Sequence, residues 1–270
     1  MSSKFETLFG NRKPVIGMIH LKALPGSPGH AEKLDKIFDS ALRDADSLVE
    51  GGVSAIQVEN QFDTPYFLPD DIGPETVAFI TVIADRIKKN YPDTPLGINV
   101  HLNGAKQAIA IAKATGAEFI RCFNLMNAYI SASGYIGASA PELMRYKKSI
   151  AAEDIMVFGD FQVKHGSHSI TIDRTLEEKA HDIQIAKADA AILTGVSTGV
   201  APDAENVTRV KKSISIPLLV GSGITKRNST ELWPLIDGAI IGSGFKPNGD
   251  LTAPIDKDLV KEFVKTVKLL

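Results

Sequence analysis

Eight short apolar runs, each followed by a stretch of helical period, recur along the whole chain, and this alternation limits the possible folds more than any other feature. The runs predict strands at 14–20, 54–59, 95–101, 118–122, 155–162, 189–194, 216–220 and 237–242. Amphipathic stretches near 31–49, 74–90, 104–115, 141–150, 175–187, 203–213, 226–235 and 256–268 predict the helices between them. Pro74 and Pro141 suit first helical turns, and Thr175 with Glu178 has the spacing of a capping box. Parallel strands joined by crossover helices make either an open doubly wound sheet or a closed barrel. Dinucleotide-binding open sheets carry G-x-G-x-x-G after the first strand, whereas this chain reads HLKALPGSPG there. The expectation is therefore an α/β protein, a single (β/α)8 TIM barrel spanning 1–270, since such barrels use about 250 residues as one unit.

Composition narrows the partners. A formal charge of -2 offers no broad cationic field, so nucleic acid is not an expected partner. No run approaches the roughly 20 apolar residues of a transmembrane helix. The start, MSSKFETLFGNRK, lacks the apolar core of a secretory signal, and the lone Cys122 has no disulfide partner within the chain. A cytoplasmic location is expected.

Strand side chains alternate between two faces, so polarity in one phase reports what lines the barrel mouth. On the third strand Leu96, Ile98 and Val100 point toward the helices, leaving Gly97, Asn99 and His101 on the inner face. On the second, Gln57 and Glu59 oppose Ile56 and Val58; on the fifth, Asp160 and Gln162 share a phase with Met156 and Phe158. His20 and Arg121 end the first and fourth strands, and Thr194 ends the sixth. Any one of these reads equally well as a solvated strand end. Gathered in one phase, carboxylates, imidazoles and a guanidinium need partners, and a ligand is the simplest one.

Two small loops follow the last two strands: GSGIT at 221–225 and IGSGFK at 241–246. Their peptide N–H groups can approach an anion closely, with a helix N-terminus beyond each, and paired loops at this place form phosphate sites in barrels. Gly221, Ser222, Gly223, Gly242 and Ser243 are the candidate cradle, the alternative being glycines that only permit tight turns, and Lys246 is either a phosphate partner or an ordinary surface lysine. The fifth strand runs into DFQVKHGSHS, which carries Lys164, His165 and His168. Lys164 could form a Schiff base, act as an acid or hold an anion. His20, Glu59, Asp160 and His165 could also hold a divalent metal, although no fixed-spacing motif asks for one and no cofactor is required by the sequence. The two long insertions, 60–73 and 123–140, follow strands and so belong to the catalytic face. Phe123, Tyr129, Tyr135 and Ile136 in the second could serve a homo-oligomer contact, a lid or core packing.

The run KPVIGMIHLKALPGSPG closely resembles the opening of BtpA/SgcQ family proteins. ENQFDTPYF, GINV, IAKATGAEFIR, VKHG, ILTGVSTG, LVGSGIT and IIGSGFKPNG extend the resemblance over nearly the whole chain. It implies a phosphate-binding TIM barrel; one cyanobacterial branch is associated with photosystem I biogenesis, and relatives near sugar-uptake genes carry a nucleosidase assignment. Two segments depart from the family pattern. A usual Leu-Arg-Asn-Asp is here His101-Leu102-Asn103-Gly104, and a Thr-Asp-Gln-Gly-like stretch is Ser131-Ala132-Ser133-Gly134. Charged groups are thereby lost from the catalytic face while the small loops remain, which implies a changed substrate or binding without turnover.

Together these readings lead to the expectation of an enzyme acting on a small phosphorylated sugar or nucleoside-like metabolite, of lyase, isomerase or nucleosidase class. Glu59 or Asp160 would be the acid or base, with Asn99 and Arg121 beside them. His20 and His101 would orient the substrate, Lys164 would stabilise negative charge, and His165 beside it is a further catalytic candidate. The alternatives are an assembly factor of the photosystem I biogenesis type and an anion-binding regulatory barrel.

Overall fold

The computed structural model describes residues 3–270. The first element, α1 (Lys4–Phe9), was not foreseen: at six residues it is too short to show a period, and its capping box of Ser3 and Glu6 is the one local signal. Strands β1 (Val15–His20), β2 (Ala55–Glu59), β3 (Leu96–Asn99) and β4 (Phe119–Cys122) follow, then a hairpin of β5 (Tyr129–Ser131) and β6 (Gly134–Ile136). The barrel resumes with β7 (Met156–Gln162), β8 (Ala190–Leu193), β9 (Leu218–Val220) and β10 (Gly238–Ile241). The order β1-β2-β3-β4-β7-β8-β9-β10 closes on itself, all parallel, so the predicted barrel and its eight strands are found. Helices α2 (Leu34–Gly51), α3 (Pro74–Asn90), α4 (Ala105–Thr115), α5 (Ala140–Ser149), α6 (Leu176–Ile185), α7 (Ala204–Ser213), α8 (Lys226–Leu232) and α9 (Lys257–Val267) lie between and after the strands.

Two apolar layers hold this together. Residues such as Val58, Ile98 and Val100 alternate outward and meet Ile37, Ala45 and Leu48 of α2 and their counterparts on the other helices. Inside the barrel, Ile16, Met18, Phe119, Phe158, Ile192, Leu219 and Ile240 pack with Phe5 and Phe9 of α1, which closes the end opposite the mouth. The Phe5 ring lies 5.9 Å from that of Phe158, and burying each phenylalanine contributes roughly 1.5–3 kcal/mol. Phe119 requires Gly97 beside it, because a Cβ there would fall 2.0 Å from its ring.

The structure corrects the phase on β7. The register slips between Asp160 and Gln162, a bulge that opposes Asp160 to Ile192 and Gln162 to Leu193. Asp160 stays inside, but Gln162 turns out to α6, where its Oε1 accepts from Lys179 Nζ at 3.4 Å. The 123–140 insertion carries the β5–β6 hairpin and packs mostly into the protein itself. Phe123, Tyr129 and Ile136 are buried in the chain's own small cluster with Val163, so of the four proposed contact residues Tyr135 alone remains exposed. Ile130 pairs with Ser167, and Ser133 Oγ donates to the Tyr66 carbonyl at 2.8 Å, tying the hairpin to the loops after β7 and β2.

Candidate active site

Parallel register brings His20, Glu59 and Asn99 to one level at the ends of β1, β2 and β3. Asn99 Nδ2 donates to Glu59 Oε2 at 2.8 Å. The other oxygen, Oε1, faces two imidazoles: His20 Nε2 at 3.4 Å and His101 Nε2 at 3.6 Å. Burial pushes the Glu59 carboxyl up, but the two imidazoles outweigh it and hold the group well below the usual carboxylate range. Neither ring nitrogen of the buried His101 has a hydrogen-bond partner among the described residues, and 3.6 Å is longer than a hydrogen bond.

His101 is fixed from outside. Its peptide N–H donates to Asn60 Oδ1 at 2.8 Å, Asn60 Nδ2 donates to Asp63 Oδ2 at 2.9 Å, and Asp63 Oδ1 accepts from the Leu24 N–H at 2.7 Å. Its ring stacks on Tyr66 at 4.4 Å and meets Phe123 at 4.9 Å. No motif or strand phase marks Asn60 or Tyr66; their place in an insertion after a strand is the signal the sequence offers for them. Asn103, in the segment that departs from the family pattern, is scaffold: its Oδ1 accepts from the Asn124 N–H at 2.8 Å.

Arg121 and Asp160 form a bidentate pair, Nε to Oδ1 at 2.8 Å and Nη2 to Oδ2 at 2.7 Å, with Asp160 fully buried. Burial pushes the Asp160 carboxyl up against the pull of the guanidinium. Both its oxygens are occupied, so it anchors Arg121, whose guanidinium lies over the Phe123 ring at 4.8 Å and borders the cleft. Of the two carboxylates expected as acid or base, only Glu59 lines the cleft.

Lys164 lines the cleft too, and burial, then the neighbouring Arg121 charge, push its amine below the usual lysine range. His165 does not reach the cleft: it is exposed, with Nε2 2.9 Å from Thr198 Oγ1, and it ties the loops after β7 and β8. His168 Nε2 sits 2.9 Å from the Val163 carbonyl. The four proposed metal ligands are therefore not brought together, since Asp160 is spent on Arg121 and His165 on Thr198. Among the described residues no three His, Cys, Asp or Glu side chains form a group that could hold a metal ion.

The opposite wall is made of the two small loops. The space between, counted out to the solvent at its mouth, is about 420 Å³. Gly223 has φ +77° and its missing Cβ would fall 2.1 Å from the Ala201 nitrogen, so only glycine lets the 221–224 loop lie against the β8 loop. Ser222 Oγ accepts from the Gly199 N–H at 3.1 Å across the same contact. A Cβ on Gly242 would fall 2.6 Å from His20 Cε1, which is how closely the second loop approaches the imidazole. The peptide N–H groups of Gly223, Ser243 and Gly244 donate to no backbone carbonyl among the described residues.

Two expectations here are corrected. Lys246 does not face the cleft, because its Nζ donates to the Leu251 and Ala253 carbonyls at 3.0 and 2.6 Å and braces the 246–253 loop. Beyond the loops lie only the seven residues of α8 and a single 3-10 turn, Ser243–Phe245, so any anion would be held by loop peptide groups rather than by long helices.

A closed parallel barrel with a carboxylate and two imidazoles on one wall of its mouth, and glycine loops after the last two strands on the other, defines a TIM-barrel protein. The chain belongs to the BtpA family, which it matches over residues 11–269. It is 38% identical over 256 residues to an uncharacterized protein of Archaeoglobus fulgidus, covering 95% of this chain and 99% of that one. It is 34% identical over 268 residues to the photosystem I biogenesis protein BtpA of Synechocystis, covering 97% and 90%. Among solved structures the fold resembles 3-hexulose-6-phosphate synthase of Salmonella typhimurium, with TM-score 0.60 at 15% identity over 95% of this chain and 99% of that one. No helix among the described residues is long and apolar enough to cross a membrane.

Proposed function

We propose that this protein is an enzyme acting by general acid–base chemistry on a small phosphorylated metabolite, sugar- or nucleoside-like, with Glu59 moving the proton. The observation that carries this reading is the pairing of Glu59 Oε1 with two imidazole nitrogens across a narrow cleft from two glycine loops. The loops at 221–223 and 242–244 would take the phosphate, as paired loops after the last barrel strands do elsewhere. Anchored there, the substrate's reacting end meets Glu59 and His20, and holding both in one cleft removes much of the entropic part of the barrier. Arg121 would stabilise negative charge developing on it.

Thermal unfolding with paired ligands tests the reading. Ribose 5-phosphate, glyceraldehyde 3-phosphate or a nucleoside monophosphate should raise the midpoint while the unphosphorylated counterparts do not. A ligand at about 100 times its Kd stabilises by about 2.7 kcal/mol, which such a measurement resolves. No shift with any phosphorylated compound contradicts the reading.

A further inference from the structure

The bulge that turns Gln162 outward leaves Lys164, two residues on, beside the cleft with His20, Glu59, Arg121 and Gly221. The nearby acids are committed elsewhere. Asp160 gives both oxygens to Arg121, and Glu59 has one oxygen on Asn99 and the other before His20 and His101. Among the described residues Nζ of Lys164 makes neither a hydrogen bond nor an ion pair, unlike the amine of Lys246, which is spent on two carbonyls. An unpaired amine, half-buried and next to a guanidinium, is a nucleophile in waiting when its proton is cheaply lost; burial and Arg121 both favour that loss.

Building on the phosphate-anchored reading above, we propose that Lys164 forms a Schiff base with the carbonyl carbon of a phosphorylated aldehyde or ketone held in the two glycine loops. The neutral amine attacks that carbon: a C–N bond forms, and the carbonyl π pair moves to oxygen, which takes a proton. The nitrogen loses a proton, the resulting hydroxyl takes another and departs as water, and the nitrogen lone pair closes the C=N bond. One amine, one carbonyl and one proton thus give one iminium and one water, with no oxidant or reductant. Glu59 and His20 border the same cleft and are placed to carry those protons. The iminium then withdraws electrons from the adjacent C–H or C–C bond, the chemistry of a lyase or isomerase.

The test is reductive trapping of the full chain. Glyceraldehyde 3-phosphate, dihydroxyacetone phosphate and ribose 5-phosphate are each incubated with the protein and sodium cyanoborohydride, which converts an iminium to a stable secondary amine, and the peptides are read by mass spectrometry. The expected result is an adduct at Lys164 in preference to other lysines, suppressed by inorganic phosphate and lost in Lys164→Arg and Lys164→Met. An unmodified Lys164, or labelling spread evenly over surface lysines, overturns the covalent step. If the same compounds still raise the unfolding midpoint, that failure belongs to the Schiff base alone; if they do not, the phosphate-anchored reading fails with it.

Discussion

The side-chain amide of Asn99 donates to Oε2 of Glu59 at 2.8 Å, and that bond decides which oxygen the carboxylate presents to His20 and His101. Asn99 is thus a positioning residue, acting through Glu59. Replacing it by alanine removes a donor that favours the charged carboxylate, so the acid limb of kcat should move to higher pH. The Asn99→Ala protein should lose about tenfold in kcat with little change in KM, the pattern of an interaction used in the transition state. A changed KM with an unmoved pH profile would make Asn99 merely structural.

Glu59 also has a thermodynamic signature. Its folded value lies well below the usual 4.5, so it contributes stability that is present above that value and is lost as pH falls through the folded value. Glu59→Gln has no such group. Denaturant titrations at steps from about pH 6 down to about pH 2 should show the wild type losing more stability than this variant below the ordinary carboxylate value, and parallel curves there would show the imidazoles do not hold the carboxylate.

Asp160→Ala should cost about 3–5 kcal/mol in denaturant unfolding, because it strands a buried guanidinium. Pairing it with Arg121→Met should recover part of that loss, since the uncompensated charge is gone. A double variant no more stable than the single one would contradict the assignment of Asp160 as the anchor of Arg121.

Lys246 and Gly223 separate bracing from binding. Lys246→Met should lower stability by about 1–3 kcal/mol by leaving two carbonyls unpaired, with phosphate affinity kept within about threefold. Gly223→Ala forces a Cβ onto the Ala201 backbone at a positive φ and should abolish phosphate binding. Calorimetric titration with inorganic phosphate distinguishes them, and equal loss in both would return Lys246 to the cleft.

The barrel was legible because strand and helix periods repeat, and the inner faces of β1 to β4 followed from simple alternation. That rule breaks at Phe161, where the bulge reverses Gln162; a one-residue slip leaves no mark in polarity. The stack of Tyr66 on His101 and the bonds that Asn60 accepts from the His101 N–H and Asp63 from the Leu24 N–H join residues from separate loops, and no local pattern encodes such contacts. Lys246 misled because a cation beside a glycine loop reads as an anion partner, while its carbonyl acceptors lie five and seven residues further on. Phe5 and Phe9 plug the barrel from a six-residue helix that sequence period cannot resolve.

Whether Glu59 does chemistry on a phosphorylated ligand is decided by comparing wild type with Glu59→Gln over a panel of sugar phosphates and nucleotides, with product formation read by mass spectrometry. The wild type should convert at least one phosphorylated compound, and Glu59→Gln should bind it with similar affinity yet turn it over about 10²–10⁴-fold more slowly. Equal turnover by the two proteins, or binding by the wild type with no product from any compound, would contradict it and leave a barrel that binds without catalysing.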